Sequence, residues 1–118
     1  MPEISEMELQ KIREFLRKRE QREQQRRRRL FRAASEDFHH IVEMIIRKYR
    51  PKRIYQWGSL LNEQHFGEHS DIDIALEGLN SIEDYFALLG DAEEMTSFPL
   101  DIVMLEKIHP LHAESIKK

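Results

Sequence analysis

The chain has 118 residues, of which 40% are hydrophobic and 35% charged, with a formal net charge of −3 and no cysteine. This length allows one domain with a modest core, and the lack of cysteine excludes disulfides and thiolate metal sites. No apolar run approaches the length that crosses a bilayer, and the opening MPEISEMELQ lacks the basic and apolar regions of a secretory signal. We therefore expect a cytoplasmic protein with no membrane partner.

The first third of the chain differs in charge from the rest. Residues 11–32 contain eleven Lys or Arg and three Glu, whereas the remaining residues contain eight basic and nineteen acidic side chains. Residues 3–31 are rich in good helix formers and contain neither Gly nor Pro, which predicts a helix. We therefore divide the chain into a charged N-terminal helix at 1–32 and a domain at 33–118.

Apolar residues in this first helix are confined to its beginning. Leu9, Ile12, Phe15 and Leu16 fall on one face at helical spacing, and no apolar residue follows from Arg17 to Arg29. The basic tract, which includes Arg26 to Arg29, could be solvated or could dock against an acidic surface of the domain itself or of a second copy. Binding to nucleic-acid phosphates ranks below both, since no aromatic residue is interleaved before Phe31.

The domain alternates helices and strands. Ser35 is a candidate N-cap for a second helix, and Pro51 ends it. Further elements follow in chain order: strands at 53–57 and 71–76, a helix from the N-cap Ser81 to Leu89 with Gly90 as C-cap, a strand at 100–105 after Pro99, and a last helix from Pro110 to Lys118. This order indicates an α/β (α+β) fold, with a small mixed sheet flanked by helices.

Two aspartates on the second predicted strand are the strongest indication of a chemical function. Strand side chains alternate faces, so Asp71 and Asp73 point to the same side, and Asp101 opens the third strand. Carboxylates so close together repel each other and are tolerable if the face meets solvent or if a cation lies between them. Oxygen ligands of this kind suit Mg²⁺ or Mn²⁺. Gly58 and Ser59 end the first strand with an open backbone and a hydroxyl, both suited to phosphate oxygens. An alternative zinc site at His65 and His69 is weak, because zinc-binding histidines four residues apart usually lie on helices.

Taken together, Gly58-Ser59, a loop, Asp71-Ile72-Asp73 and the later Asp101 resemble the signature of the DNA polymerase beta-like nucleotidyltransferase superfamily. The likeness covers residues 36–116 and is greatest to the minimal nucleotidyltransferases, the antitoxin partners of helical HEPN ribonuclease toxins. It implies two Mg²⁺ ions held by Asp71, Asp73 and Asp101, with Gly58 and Ser59 on the phosphates of a nucleoside triphosphate, commonly ATP. It also implies transfer of AMP to a tyrosine of the HEPN toxin.

The sequence departs from this family in two places. Many relatives carry Arg and Gly soon after the Ser, where this chain has Leu60-Leu61-Asn62-Glu63, and relatives usually continue with a short apolar strand after the last helix. We expect a sheet edge to be missing or supplied by a partner. Two alternatives remain open, namely an antitoxin that acts by contact with little catalysis, and a transferase for a small hydroxylated molecule such as an aminoglycoside.

Overall fold

The computed structural model describes residues 3–118; Met1 and Pro2, the first residues of the predicted N-terminal segment, lie outside it. It contains a three-stranded sheet and three α-helices, α1 (Glu6–Lys48), β1 (Arg53–Trp57), β2 (Ile72–Glu77), α2 (Ile82–Glu93), β3 (Leu100–Met104) and α3 (Pro110–Lys117). The predicted mixed α+β class is therefore confirmed at this level. Within the described residues, none of the helices is long and apolar enough to cross a membrane.

A single helix replaces the two that were predicted before β1. The Ser5 hydroxyl accepts a hydrogen bond from the Glu8 N–H at 3.1 Å and caps α1, which then continues for 43 residues. Ser35 is therefore an interior residue and its predicted N-cap role is wrong. The helix continues because it contains neither Gly nor Pro and because Leu30, Phe31 and Ala34 pack against the domain core.

The first half of α1 projects from the domain. At 1.5 Å per residue the helix is about 65 Å long, and the molecule measures 70 × 30 × 20 Å. Its radius of gyration is 20.3 Å, against about 13.5 Å for a compact chain of this length. Residues 3–26 are all exposed. The division of the chain at residue 32 stays a prediction, and α1 passes through it without a break.

β2 is the centre of the sheet. It pairs with β1 in an antiparallel register that joins Arg53 to Glu77 at one end and Trp57 to Asp73 at the other. It pairs with β3 in a parallel register that joins Ile72 to Leu100. Strand ends differ slightly from expectation: β2 begins at Ile72 rather than Asp71 and includes Glu77, and β3 ends at Met104, before a short 3₁₀ helix.

Helix α2 begins at its predicted cap and continues further than predicted. Ser81 accepts from the Asp84 N–H at 3.1 Å, but the helix extends through Gly90 to Glu93, so the predicted C-cap is wrong. An interior glycine costs about 1 kcal/mol relative to alanine. Packing outweighs this cost because Leu88 and Ala92, on either side of Gly90, are completely buried in the core.

The sheet is covered on both faces, and the coverage positions the site. One face carries Ile72, Ile74 and Leu76, which are buried with the C-terminal half of α1 and with α2. On the other face, Ala75 is buried in a smaller cluster with Leu105 and with Ile116 of α3. Because side chains alternate along β2, Asp73 lies on this second face with Ala75.

Candidate active site

The predicted acids come together at one end of the sheet. Asp73 of β2 is paired directly with Asp101 of β3, and on its other side with Trp57 of β1. Directly paired residues on neighbouring strands point to the same face. Asp71 immediately precedes β2, two positions before Asp73. The structure therefore brings Asp71, Asp73 and Asp101 to one edge of the face that α3 partly covers.

Asp73 is the electrostatic centre of this group. Asp73 is only 8% exposed, and among the described residues it is the one buried acidic or basic residue. Burial, and after it the negative charges of Asp101 and Asp71, together raise the pKa of its carboxyl to about 7. The ionised form of the Asp73 carboxyl is thus disfavoured in the folded chain, and a bound cation would stabilise it.

Gly58 packs directly against the Asp73 carboxylate. Its backbone has φ 81°, a conformation that side chains rarely adopt, and a Cβ added there would overlap Asp73 Oδ2. Glycine is therefore required at this position for two independent reasons. The predicted open backbone beside the acids is present, and it lies against the central acid of the three.

The loop after Gly58 is held in place at two points. Ser59 opens a short 3₁₀ helix in which Leu60 is buried. A second 3₁₀ helix follows at Glu63–His65. Asn62 caps it, because its Oδ1 accepts a hydrogen bond from the Gln64 N–H at 2.9 Å. Phe66 is fully buried and meets the rings of Phe31 and Phe98 edge-on. Ser59 is consequently fixed beside Gly58 and close to the acids.

The three carboxylates suit Mg²⁺ or Mn²⁺ better than they suit Zn²⁺. Three carboxylates supply hard oxygen ligands, which Mg²⁺ and Mn²⁺ prefer, and a cation would relieve the repulsion and burial that raise the Asp73 pKa. Among residues 3–118, no three Asp, Glu or His side chains are already gathered as a coordination shell. The three carboxylates would have to converge around the ion, and His65 with His69 forms no such group either.

A groove of about 440 Å³ lies next to Gly58, between β1 and α3. The basic residues His112, Lys117 and Lys118 line it. His112 meets the ring of Trp57 edge-on at 5.2 Å. Within the described chain, Trp57 Nε1 is one of two buried polar side-chain atoms without a hydrogen-bond partner. Trp57 and His112 belong to none of the sequence motifs described above. Neither has a motif that could have indicated the groove, because α3 and β1 meet only in the folded chain.

Two arginines of α1 contact the loop that follows Gly58. Arg26 forms an ion pair with Glu68, and Arg28 Nε lies 3.8 Å from Glu63 Oε1. Both pairs are largely exposed, so each contributes little stability by itself. Their position favours one of the three alternatives for the basic tract, in which part of it docks against acidic residues of the same chain.

Comparison of the chain with models of protein families, with curated proteins and with solved structures found no match.

Proposed function

We propose that the chain is a metal-dependent nucleotidyltransferase that moves a nucleoside monophosphate, with AMP from ATP as the first candidate, to a hydroxyl group. The observation that supports this most directly is the contact of Gly58 with the carboxylate of Asp73, which is paired in register with Asp101. An open backbone, a hydroxyl and three acids within one small region are what a metal–triphosphate complex needs. The resemblance described above supports the same assignment.

Each residue has a distinct role in this proposal. Asp71, Asp73 and Asp101 would hold the divalent cations, which lower the pKa of the acceptor hydroxyl and neutralise charge on the leaving group. Ser59 and the backbone at Gly58 contact the phosphates. The acceptor oxygen forms a bond to the α-phosphorus, the bond from that phosphorus to pyrophosphate breaks, and the hydroxyl proton passes to Asp101. Asp73 organises the site, since it lies between the other two acids.

The acceptor is proposed to be a side chain of a partner protein. The described chain consists of one small sheet domain and a projecting helix, and we place a protruding segment of the partner at the groove of about 440 Å³ beside Gly58. By resemblance, the partner is a HEPN-type toxin and the acceptor a tyrosine, so that the chain acts as an antitoxin. A protein acceptor brings its own docking surface, which a domain of this size would otherwise have to supply.

Transfer to the partner tests this proposal. The chain, ATP and Mg²⁺ are incubated with the product of the adjacent gene, whose mass should increase by one or more AMP units. Asp101→Ala should reduce the rate by orders of magnitude but leave the association of the two proteins intact. Asp84→Ala, on α2 at the opposite face of the sheet, is the matched control and should transfer normally. An unmodified partner whose toxicity is nonetheless suppressed would favour the antitoxin that acts by contact.

A further inference from the structure

The projecting half of α1 carries an apolar stripe that lies far from the core. Leu9, Ile12, Phe15 and Leu16 are between 39% and 63% exposed. Leu16 lies about five turns before Ala34, at 3.6 residues per turn, so the stripe continues the face of α1 that packs on the sheet further along. Exposed apolar residues that share one face at the free end of a helix indicate an interaction surface.

The charges on either side of the stripe are complementary to each other. Residues 3–8 contain three glutamates and no basic residue, whereas residues 17–22 contain four basic residues and one glutamate. If two copies pair their stripes in antiparallel orientation, the acidic segment of each lies beside the basic segment of the other. Parallel pairing would instead place acid beside acid and base beside base, which is unfavourable.

We infer that the N-terminal part of α1 is a dimerisation helix. Together with the three residues that precede α1, it pairs with a second copy of this chain in antiparallel orientation over residues 3–22. The contact is self-complementary, as a two-fold axis requires. It leaves the two sheet domains at opposite ends of the helix pair, because the helices run in opposite directions away from the contact. The domains therefore do not collide, and both sites stay accessible. This inference is independent of the proposed enzymatic function.

The interface is small, and its properties follow from its composition. Four apolar side chains per copy bury little area, which places the affinity at the weak end, in the micromolar range. The flanking charges are exposed, so that added salt should weaken the dimer. A purely apolar contact would not weaken in this way.

Sedimentation over a range of concentrations measures the association. The full chain should change from monomer to dimer as its concentration rises, and Ile12→Gln with Leu16→Gln should abolish the change. Both side chains are outside the core, so that the variant should keep its thermal stability. Ile46→Gln is the matched control, because Ile46 is an exposed apolar residue on the same helix but on another face. A wild-type chain that stays monomeric at the highest concentration would overturn the inference.

Charge exchange tests the partner and the orientation together. A variant with Glu3, Glu6 and Glu8 changed to Lys should not dimerise, and neither should a variant with Lys18, Arg19 and Arg22 changed to Glu. An equimolar mixture of the two variants should form the mixed dimer, because the new Lys residues of the first lie beside the new Glu residues of the second, and the native basic residues of the first lie beside the native Glu residues of the second. The variant that carries all six changes restores complementarity at both ends and should dimerise as the wild type does.

Distances between spin labels distinguish the two orientations, and the chain has no native cysteine to remove. Gln10→Cys and Gln21→Cys each replace a neutral residue outside the stripe. In the antiparallel pair the two Gln21 positions are about 26 Å apart along the axis and the two Gln10 positions about 8 Å, from 1.5 Å per residue. The Gln21 label pair should therefore show the longer distance. Equal distances would indicate a parallel pair and refute the inference.

Discussion

Replacing Asp73 by asparagine separates the effect of its charge from the effect of its shape. The carboxyl is buried beside Asp101 and Asp71, and its pKa is raised to about 7 from an ordinary 3.8. Asparagine has nearly the same volume and is never ionised. We therefore expect the substitution to stabilise the protein at neutral and alkaline pH, in the absence of divalent cations.

The sign and size of this effect follow from proton linkage. Between pH 3.8 and 7 the folded chain holds a proton on Asp73 that the unfolded chain has lost, so that the contribution of Asp73 to stability decreases as the pH rises through this window and is constant above it. Each pKa unit corresponds to 1.36 kcal/mol, which sets a ceiling of about 4 kcal/mol. Since Asp71 and Asp101 are partly exposed and screened by solvent, we expect about 2–4 kcal/mol.

Urea unfolding of both proteins from pH 4 to pH 8.5, with a chelator present, measures the difference. The free energy of unfolding of Asp73→Asn should equal that of the wild type near pH 4 and exceed it by about 2–4 kcal/mol above pH 7.5. Glu93→Gln, at an exposed position on α2, is the control and should follow the wild type at every pH. A difference between Asp73→Asn and the wild type that does not change with pH would refute the argument.

Three further predictions concern the fold. Gly58→Ala should lower the free energy of unfolding, measured by urea titration, by about 2–4 kcal/mol, because residue 58 has a positive φ and the added Cβ would overlap Asp73. Combining it with Asp73→Gly should restore part of this loss. If the effects of the two substitutions on the free energy of unfolding add fully, the contact is contradicted. Tyr85→Phe removes the hydroxyl that donates a hydrogen bond to the Ile102 carbonyl at 2.7 Å. It should lower the free energy of unfolding, measured by urea titration, by about 1 kcal/mol. An unchanged urea midpoint would show that water replaces the hydrogen bond. Deleting residues 1–25 removes none of the described residues that are buried, so circular dichroism should show a folded domain with less helix. An unfolded product would place this segment in the core.

Local pattern was sufficient to predict much of the domain. Alternation predicted that Asp71 and Asp73 point to the same side, since an extended chain repeats every two residues whatever surrounds it. Ser81 was predicted as a cap because a serine hydroxyl in this position satisfies a backbone N–H three residues later in its own segment. His109 acts in the same way at α3, where its Nδ1 accepts from the Leu111 N–H at 3.1 Å. These features depend on neighbours in the chain.

Tertiary packing decided what local pattern could not. α1 continues through Ser35, and α2 through Gly90, because buried neighbours in the core outweigh the local preference of each residue. The pairing of Asp73 with Asp101 and the contact with Gly58 join residues of β2 and β3 with the residue that follows β1, and the strand register depends on how the sheet assembles. The sequence by itself therefore determined which residues could form the site, and the sheet register determined that they meet. The raised pKa of Asp73 arises only from that meeting, since burial and neighbouring charge exist only in the folded chain.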